Sequence, residues 1–131
     1  CQLIDRENDR AALKTILKCI SILKEDKANI AVFPEGRIVQ DGYLLHDFRP
    51  GVFKIAQKAN VPIVVCTIDG TMPLFRNVVR LKHTPVELHL VDVIPAQELR
   101  GRTAVSIAQQ VYDLMLSDLG PEFAPEEVQN T

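Results

Sequence analysis

The segment NIAVFPEGRIVQDG, residues 29–42, places two charged side chains around a glycine directly after an apolar stretch. Arg37 offers a planar fork of N–H donors that suits a phosphate or a carboxylate. Glu35 is able to hold a basic side chain in place or to accept a hydrogen bond from a hydroxyl. Gly36 lets the backbone turn or approach a ligand closely. An ordinary turn with a solvated ion pair has the same composition, so the segment alone leaves both interpretations open.

The cysteines do not indicate a further site. Their spacing fits no metal-binding pattern, and three cysteines cannot all pair with one another. Small buried side chains in a reducing compartment are the plainer interpretation, because a catalytic thiol needs a neighbouring base that the sequence does not indicate. The residues concerned are Cys1, Cys19 and Cys66. No metal site is predicted.

Length and composition favour one folded domain. The chain has 131 residues, of which 47% are hydrophobic and 24% charged, and its net charge is −2. This charge does not indicate nucleic-acid binding. No apolar run is close to the length of a membrane-spanning helix, which is about 20 residues. The sequence begins with Cys1 rather than Met, so we expect it to be part of a longer chain.

The hydrophobic periodicity predicts alternating helices and strands that position the Glu35–Arg37 segment. The predicted elements, in chain order, are a helix over 9–26, strand 29–33, a short helix from Pro50 to Asn60, strand 61–68, strand 86–94 and a helix over 103–119. Such an order favours an α/β fold with a largely parallel sheet flanked by helices. We expect one domain over residues 1–120 and an acidic tail over 121–131. Ligands of such sheets bind beyond the carboxyl ends of the strands, where Glu35 lies.

Four segments, taken in order, resemble the glycerolipid acyltransferase family, whose best-known members are the 1-acylglycerol-3-phosphate acyltransferases. They are LIDR at 3–6, VFPEG at 32–36, QDGYLL at 40–45 and DFRPGVFKIAQKANVPIVV at 47–65. The resemblance extends from residue 3 to about residue 70. It implies part of a glycerol-3-phosphate acyltransferase-like fold and no cofactor.

The resemblance also assigns roles to residues of the acceptor site. Arg6 ends the LIDR segment and corresponds to the family's ligand for the acceptor phosphate, although a pair with Asp5 or Asp9 is an alternative. Glu35 and Gly36 match the family directly. The family usually has the sequence Glu-Gly-Thr-Arg-Ser here, whereas the arginine of this chain, Arg37, lies one position earlier. The identity of the acceptor's head group is therefore left open.

The resemblance implies two further groups of site residues. Arg49 matches a basic position before the helix, where it either assists the phosphate or caps the loop. Val61, Pro62 and Ile63 match the segment that the family uses on the acyl side of its site, and they equally fit the start of a buried strand.

No catalytic residue is assigned. The family uses a His as base and an Asp five positions later that orients it, in a block that precedes the LIDR segment. The residues five positions after His46, His83 and His89 are a glycine, a leucine and an isoleucine. We therefore expect this chain to supply the acceptor-binding half and to be inactive alone.

The implied activity is transfer of a fatty acyl group from acyl-CoA or acyl carrier protein to a lysophosphatidic acid-like acceptor in phospholipid synthesis. We expect an upstream segment to bind the membrane and this portion to lie, in soluble form, on its cytoplasmic face. Two alternatives remain open. One is a non-catalytic anion-binding or interaction domain of the same fold, and the other is an unrelated small α/β regulatory module whose segments match by chance.

Overall fold

The computed structural model describes residues 9–36, 48–71, 77 and 82–123. Among them are four α-helices, two strands and two 3₁₀ turns. In chain order these are α1 (Asp9–Lys24), a 3₁₀ turn (Pro50–Val52), α2 (Phe53–Ala59), β1 (Ile63–Asp69), β2 (Glu87–Ile94), α3 (Ala96–Leu99), α4 (Ala104–Leu119) and a second 3₁₀ turn (Pro121–Phe123). The predicted helix over 9–26 is confirmed apart from its last two residues.

The helices α1 and α2 pack against each other around a small apolar cluster. Cys19 and Ile20 of α1 are buried against Ile55 and Ala59 of α2. Apolar residues at intervals of three and four place these side chains on one face of each helix. Cys19 therefore behaves as a small buried hydrophobic residue, as the sequence predicted.

The helix α2 begins and ends where the sequence predicted. Pro50 opens the 3₁₀ turn that leads into it. Asn60 follows its last residue in the left-handed conformation, with φ of 58°. The N–H of Val61 then donates to the carbonyl of Ala56 at 3.1 Å, so the chain reverses within a few residues and enters β1.

The strands β1 and β2 form an antiparallel pair that runs from Ile63 opposite Ile94 to Asp69 opposite Glu87. It is the one strand pair within the residues that the structure describes. The largely parallel sheet therefore stays a prediction. The inner face of the pair packs on α4, where Ile94 and Ile107 are almost completely buried.

A β-bulge decides which residues of β2 face the core. Val65 lies opposite Asp92, but the next residue of β1, Cys66, lies opposite Leu90, so β2 carries one extra residue. Without the bulge, Leu90 would share the face of Ile94. With it, Ile94 is 1% exposed and Leu90 is 68% exposed. The alternation in the sequence predicted the strand but not this change of face.

The outer face of the pair consists of apolar side chains that no described element covers. Its members are Val64, Ile68, Leu88, Leu90 and Val93, each of them exposed. A two-stranded pair with one open apolar face is marginal as an independent sheet.

The structure differs from the prediction over residues 29–33. Ile30 packs on the α1–α2 cluster, but the segment forms no strand with any described residue. Phe33 is 73% exposed and Val32 is also exposed. A strand requires a neighbour for its backbone hydrogen bonds, and the described part of the chain provides none here.

The last long helix, α4, is capped at both ends and confirms the helix predicted over 103–119. The Thr103 hydroxyl accepts a hydrogen bond from the N–H of Ser106 at 3.1 Å. Gly120 ends the helix with φ of 108°. The tail beyond Phe123 lies outside the described residues, so the domain limits 1–120 and 121–131 stay predictions. Among the described helices, none has both the length and the apolar character needed to cross a bilayer.

Candidate functional site

A tight turn places Glu35 and Gly36 after the apolar segment. The N–H of Gly36 donates to the carbonyl of Phe33 at 3.1 Å, which closes the turn. Gly36 has φ of +64°, a conformation that residues with a Cβ adopt only at a cost. The sequence predicted a turn at this glycine, and the positive φ explains why the turn has a glycine there.

Arg49 lies directly against this turn. Its N–H donates to the carbonyl of Pro34 at 3.0 Å. Its side chain runs past Gly36, since a Cβ placed on that glycine would lie 3.1 Å from both Cδ and Nε of Arg49. The missing side chain of Gly36 therefore makes room for the arginine. Two segments that the sequence proposed separately for the acceptor site are thus in contact.

The Arg49 side chain has no charged partner among the described residues. The residue is also exposed. Its backbone is extended, with φ of −80° and ψ of 108°, and precedes the 3₁₀ turn that begins at Pro50. A guanidinium held by its backbone and packed on a glycine offers its N–H donors at a defined place.

Glu35 is half-buried in the same turn. Burial raises the pKa of the Glu35 carboxyl above its ordinary value of 4.5. Within the described ranges no cation forms an ion pair with it. A carboxylate accepts hydrogen bonds, so Glu35 is able to accept one from a hydroxyl bound beside this turn.

The three residues predicted for the acyl side lie where α2 passes into β1. Val61 packs on the α1–α2 cluster, and Ile63 packs on the core between the sheet and α4. Pro62 between them is exposed. These contacts account for Val61 and Ile63 as core residues, and their role on the acyl side stays a prediction.

The remaining predicted contacts fall outside the described residues. The residues concerned are Arg6 and Arg37, so their expected contacts with the acceptor phosphate stay predictions. In the ranges that are described, no group of three or more His, Cys, Asp or Glu side chains is placed to hold a metal ion.

The structure also reveals a polar cluster that the sequence analysis missed. The Nδ1–H of His89 on β2 donates to Oδ2 of Asp118 on α4 at 3.1 Å, and the Thr67 hydroxyl of β1 donates to the same oxygen. His89 Nε2 lies 3.5 Å from a carboxylate oxygen of Glu87. These groups come from three elements that are far apart in sequence, and no pattern of residue spacing predicts that they meet. The β-bulge places His89 opposite the buried Thr67 and thus towards α4.

This cluster links stability to pH. The hydrogen bond to Asp118 raises the pKa of His89 above its ordinary value of 6.5, and the attraction of the same carboxylate adds to it. The Thr67 hydroxyl, followed by His89, lowers the pKa of Asp118 below its ordinary value of 3.8. Between the ordinary pKa values of Asp118 and His89, the carboxylate and the imidazolium are both charged. The pair therefore contributes most to stability in that pH interval.

We expect the His89–Asp118 contribution to fall as the pH rises through the raised pKa of His89, because the folded state then loses the proton that it holds more tightly than the unfolded chain. It should also fall as the pH drops through the lowered pKa of Asp118. The measurement is the melting temperature across this pH range for the wild type and for His89→Gln. His83→Gln, at an exposed residue outside the cluster, is the control. Parallel pH profiles for the wild type and His89→Gln would contradict the linkage.

The comparisons with known proteins agree with the segments and the turn described above. A family model described as Acyltransferase matches residues 1–69, which is more than half of the chain. A relative from Salmonella typhimurium, the 1-acyl-sn-glycerol-3-phosphate acyltransferase, is 33% identical over 131 residues, which cover 95% of this chain and 51% of the relative. The chain belongs to the acyltransferase family, and the resemblance recognised in its sequence is confirmed.

Further relatives carry the same enzyme name. The 1-acyl-sn-glycerol-3-phosphate acyltransferase of Limnanthes douglasii is 25% identical over 117 residues, covering 88% of this chain and 41% of the relative. A protein of Mycoplasma pneumoniae, called a probable 1-acyl-sn-glycerol-3-phosphate acyltransferase, is 36% identical over 87 residues. These residues cover 66% of this chain and 32% of the relative. The chain spans about two fifths of the length of relatives such as that of Limnanthes. No solved structure matches the chain significantly.

Proposed function

We propose that the protein transfers a fatty acyl group from a thioester donor, acyl-CoA or acyl carrier protein, to the hydroxyl of a lysophosphatidic acid-like acceptor. In this reaction the acceptor oxygen forms a bond to the acyl carbonyl carbon, the carbon–sulfur bond breaks, and the hydroxyl proton ends on the thiol. This chain supplies the part of the site that binds the acceptor phosphate. The proposal rests on family membership together with one observation, the contact of Arg49 with the Glu35–Gly36 turn.

The proposed roles of the described residues follow from their chemistry. The Arg49 guanidinium binds the acceptor's phosphate through paired N–H donors, as is usual for arginine with phosphate. Glu35 accepts a hydrogen bond from an acceptor hydroxyl. Gly36 keeps the space through which the Arg49 side chain passes. Arg6 supplies further positive charge to the phosphate, as the family resemblance implies. Arg37, one position before the family's usual arginine, has the same role in this proposal.

A second candidate is a non-catalytic anion-binding domain with the same fold. The observation that favours it is the exposed Arg49 guanidinium packed against the Gly36 turn, which is able to bind a phosphate without any catalytic base. In this candidate the Arg49 site binds the lysophospholipid, but no group takes the hydroxyl proton.

The two candidates differ in product formation and are separated by a direct assay. The protein is expressed from its complete reading frame and mixed in detergent micelles with acyl-CoA or acyl carrier protein and lysophosphatidic acid. Free thiol and phosphatidic acid are measured. We expect both to form with lysophosphatidic acid and to fall strongly with monoacylglycerol, which lacks the phosphate. Binding of lysophosphatidic acid without product would favour the second candidate, and absence of both would contradict each of them.

We also propose that the whole domain is of the α/β class and that the β1–β2 pair is one end of a larger, largely parallel sheet. The open apolar face supports this, because a sheet within such a fold is covered by helices on both sides. We further propose that the protein works at the cytoplasmic face of a membrane, as the family resemblance implies, since its acceptor and its product are both lipids. Membrane attachment through a segment upstream of the described residues is part of this proposal.

A further inference from the structure

The residue before Arg49 is buried, although Arg49 itself is exposed. Phe48 is 8% exposed and belongs to the core cluster between the sheet and α4. The backbone of Arg49 is extended, with φ of −80° and ψ of 108°, as expected for a residue that precedes a proline. Neighbouring side chains of an extended backbone point to opposite sides. The burial of Phe48 therefore turns the Arg49 side chain outwards, where it runs past Gly36.

Two aromatic rings contact Phe48 in the core. Phe53, the first residue of α2, stacks on it with ring centroids 6.5 Å apart and planes at 29°. Tyr112 of α4 meets it edge-on, with centroids 5.5 Å apart and planes at 71°. This arrangement is favourable because the positive edge of one ring meets the negative face of the other. Through Tyr112, α4 thus contacts the segment that carries Arg49.

Arg49 is therefore held from two directions. Its N–H donates to the carbonyl of Pro34 at 3.0 Å, which ties its backbone to the Gly36 turn. On its other side, the ring of Phe48 is fixed in the core. A binding group whose backbone is already held loses less freedom when the ligand arrives. If Phe48 lost a ring partner, Arg49 would face the turn in a smaller fraction of the molecules, and the apparent affinity for a phosphate would fall by that fraction.

We propose that Tyr112 is a positioning residue for acceptor binding, because its contact with Phe48 holds the Arg49 guanidinium beside the Gly36 turn. The proposal deepens the proposed function and rests on it, since it concerns the same phosphate. Tyr112 lies beyond residues 1–69, the part of the chain that the family model matches. In this role Tyr112 acts through Phe48 and does not contact the acceptor.

A purely structural role for Tyr112 is the alternative. Tyr112 is partly buried against the core cluster, so its replacement also lowers stability. A structural role reduces the amount of folded protein and lowers the rate with every acceptor alike. A positioning role weakens the binding of acceptors that carry a phosphate. The split between KM and kcat and a double-mutant cycle separate the two roles.

The first test replaces Tyr112 by leucine, which keeps an apolar side chain but removes the ring. Acyl transfer is measured in detergent micelles with the protein from its complete reading frame. KM for lysophosphatidic acid should rise by about 2- to 12-fold, the range that an aromatic pair contributes beyond its burial. The kcat value and the activity with monoacylglycerol, which lacks the phosphate, should not change. Tyr112→Phe keeps the ring and should keep the wild-type KM.

The second test is a double-mutant cycle with Arg49. In the Arg49→Ala background, Tyr112→Leu should raise KM no further, because the side chain that it positions is absent. Phe48→Leu removes the same contact from its other side and should raise KM at least as much as Tyr112→Leu. The variant with both leucines should not exceed Phe48→Leu alone. If Tyr112→Leu does not fold, Phe48→Leu with and without Arg49→Ala provides the same cycle.

Gly101→Ala is the matched control for lost stability. Gly101 precedes α4 with φ of +73°, and a Cβ there would meet no atom within 4 Å. The variant therefore lowers stability through its backbone and leaves the aromatic contacts intact, so KM should equal that of the wild type. Circular dichroism and urea unfolding give the folded fraction of each variant. An equal rise of KM in Gly101→Ala, an equal rise in Tyr112→Phe, or no rise in the leucine variants would overturn the proposal.

The outcome is separable from that of the proposed function. Binding of lysophosphatidic acid to the same protein is measured by calorimetry alongside the transfer assay. Transfer by the wild type with an unchanged KM in the leucine variants would defeat only the Tyr112 proposal. Binding that Tyr112→Leu weakens, without transfer by the wild type, would defeat only the acyltransferase proposal.

Discussion

Replacing Arg49 by alanine should lower kcat/KM for the lysophosphatidic acid acceptor by about 10- to 150-fold. This range corresponds to about 1.5–3 kcal/mol, the usual loss when a hydrogen bond to a charged group is removed. The Arg49 side chain is exposed and packs on Gly36, so its removal leaves no buried charge behind. The measurement is the initial rate of acyl transfer in micelles with the protein from its complete reading frame.

Two comparisons make this result specific to the phosphate. Activity with monoacylglycerol, which has no phosphate, should be low in the wild type and no lower in Arg49→Ala. Arg49→Lys should recover only part of the activity, because an ammonium supplies the charge but not the planar fork. Lys58→Ala, at an exposed position of α2, serves as the control. An equal loss with both acceptors would indicate that Arg49 only caps its loop.

Gly36→Ala extends the same argument to the turn. An added Cβ would lie 3.1 Å from two atoms of the Arg49 side chain and would require φ of +64°. The arginine must then shift, and the phosphate contact shifts with it. We therefore expect a smaller loss of acceptor use than in Arg49→Ala, in the same assay.

Gly70→Ala should lower the free energy of unfolding by about 3 kcal/mol. The residue follows β1 with φ of +81°, a conformation that costs a residue with a Cβ about 1–2 kcal/mol. An added Cβ would also overlap the carbonyl oxygen of Pro85, just before β2. Since this oxygen belongs to the backbone, the two strand ends must move apart, at a further cost of about 1–3 kcal/mol. Equilibrium unfolding in urea measures the difference.

Two other glycines separate the contributions of conformation and contact. Gly101 has φ of +73° but open space around its Cβ position, so Gly101→Ala should show only the conformational cost. Gly51 has neither restriction, and Gly51→Ala should change the free energy of unfolding by less than about 1 kcal/mol. If Gly70→Ala were no more destabilising than Gly101→Ala, the close approach to Pro85 would not contribute.

The sequence determined the features that depend on neighbouring residues. The periodicity of α1 and α4, the Thr103 cap and the left-handed Asn60 were all predictable, because the residues that produce them lie within a turn of one another. The family was recognisable for a similar reason, since each of its four segments is contiguous. The turn at Gly36 likewise follows from the local need for a glycine.

Only the tertiary structure decided which distant groups meet. An apolar run indicates that a strand is buried but does not indicate which strand it pairs with. The sequence alone therefore did not predict that β1 pairs with β2 in antiparallel fashion, or that residues 29–33 pair with no described strand. One extra residue in β2 turned Leu90 outwards and His89 towards Asp118, against the simple alternation. The contact of Arg49 with Gly36 also arises from the path of the intervening chain. Hydrogen-bond partners and strand register depend on residues far apart in sequence, and for that reason spacing alone did not predict them.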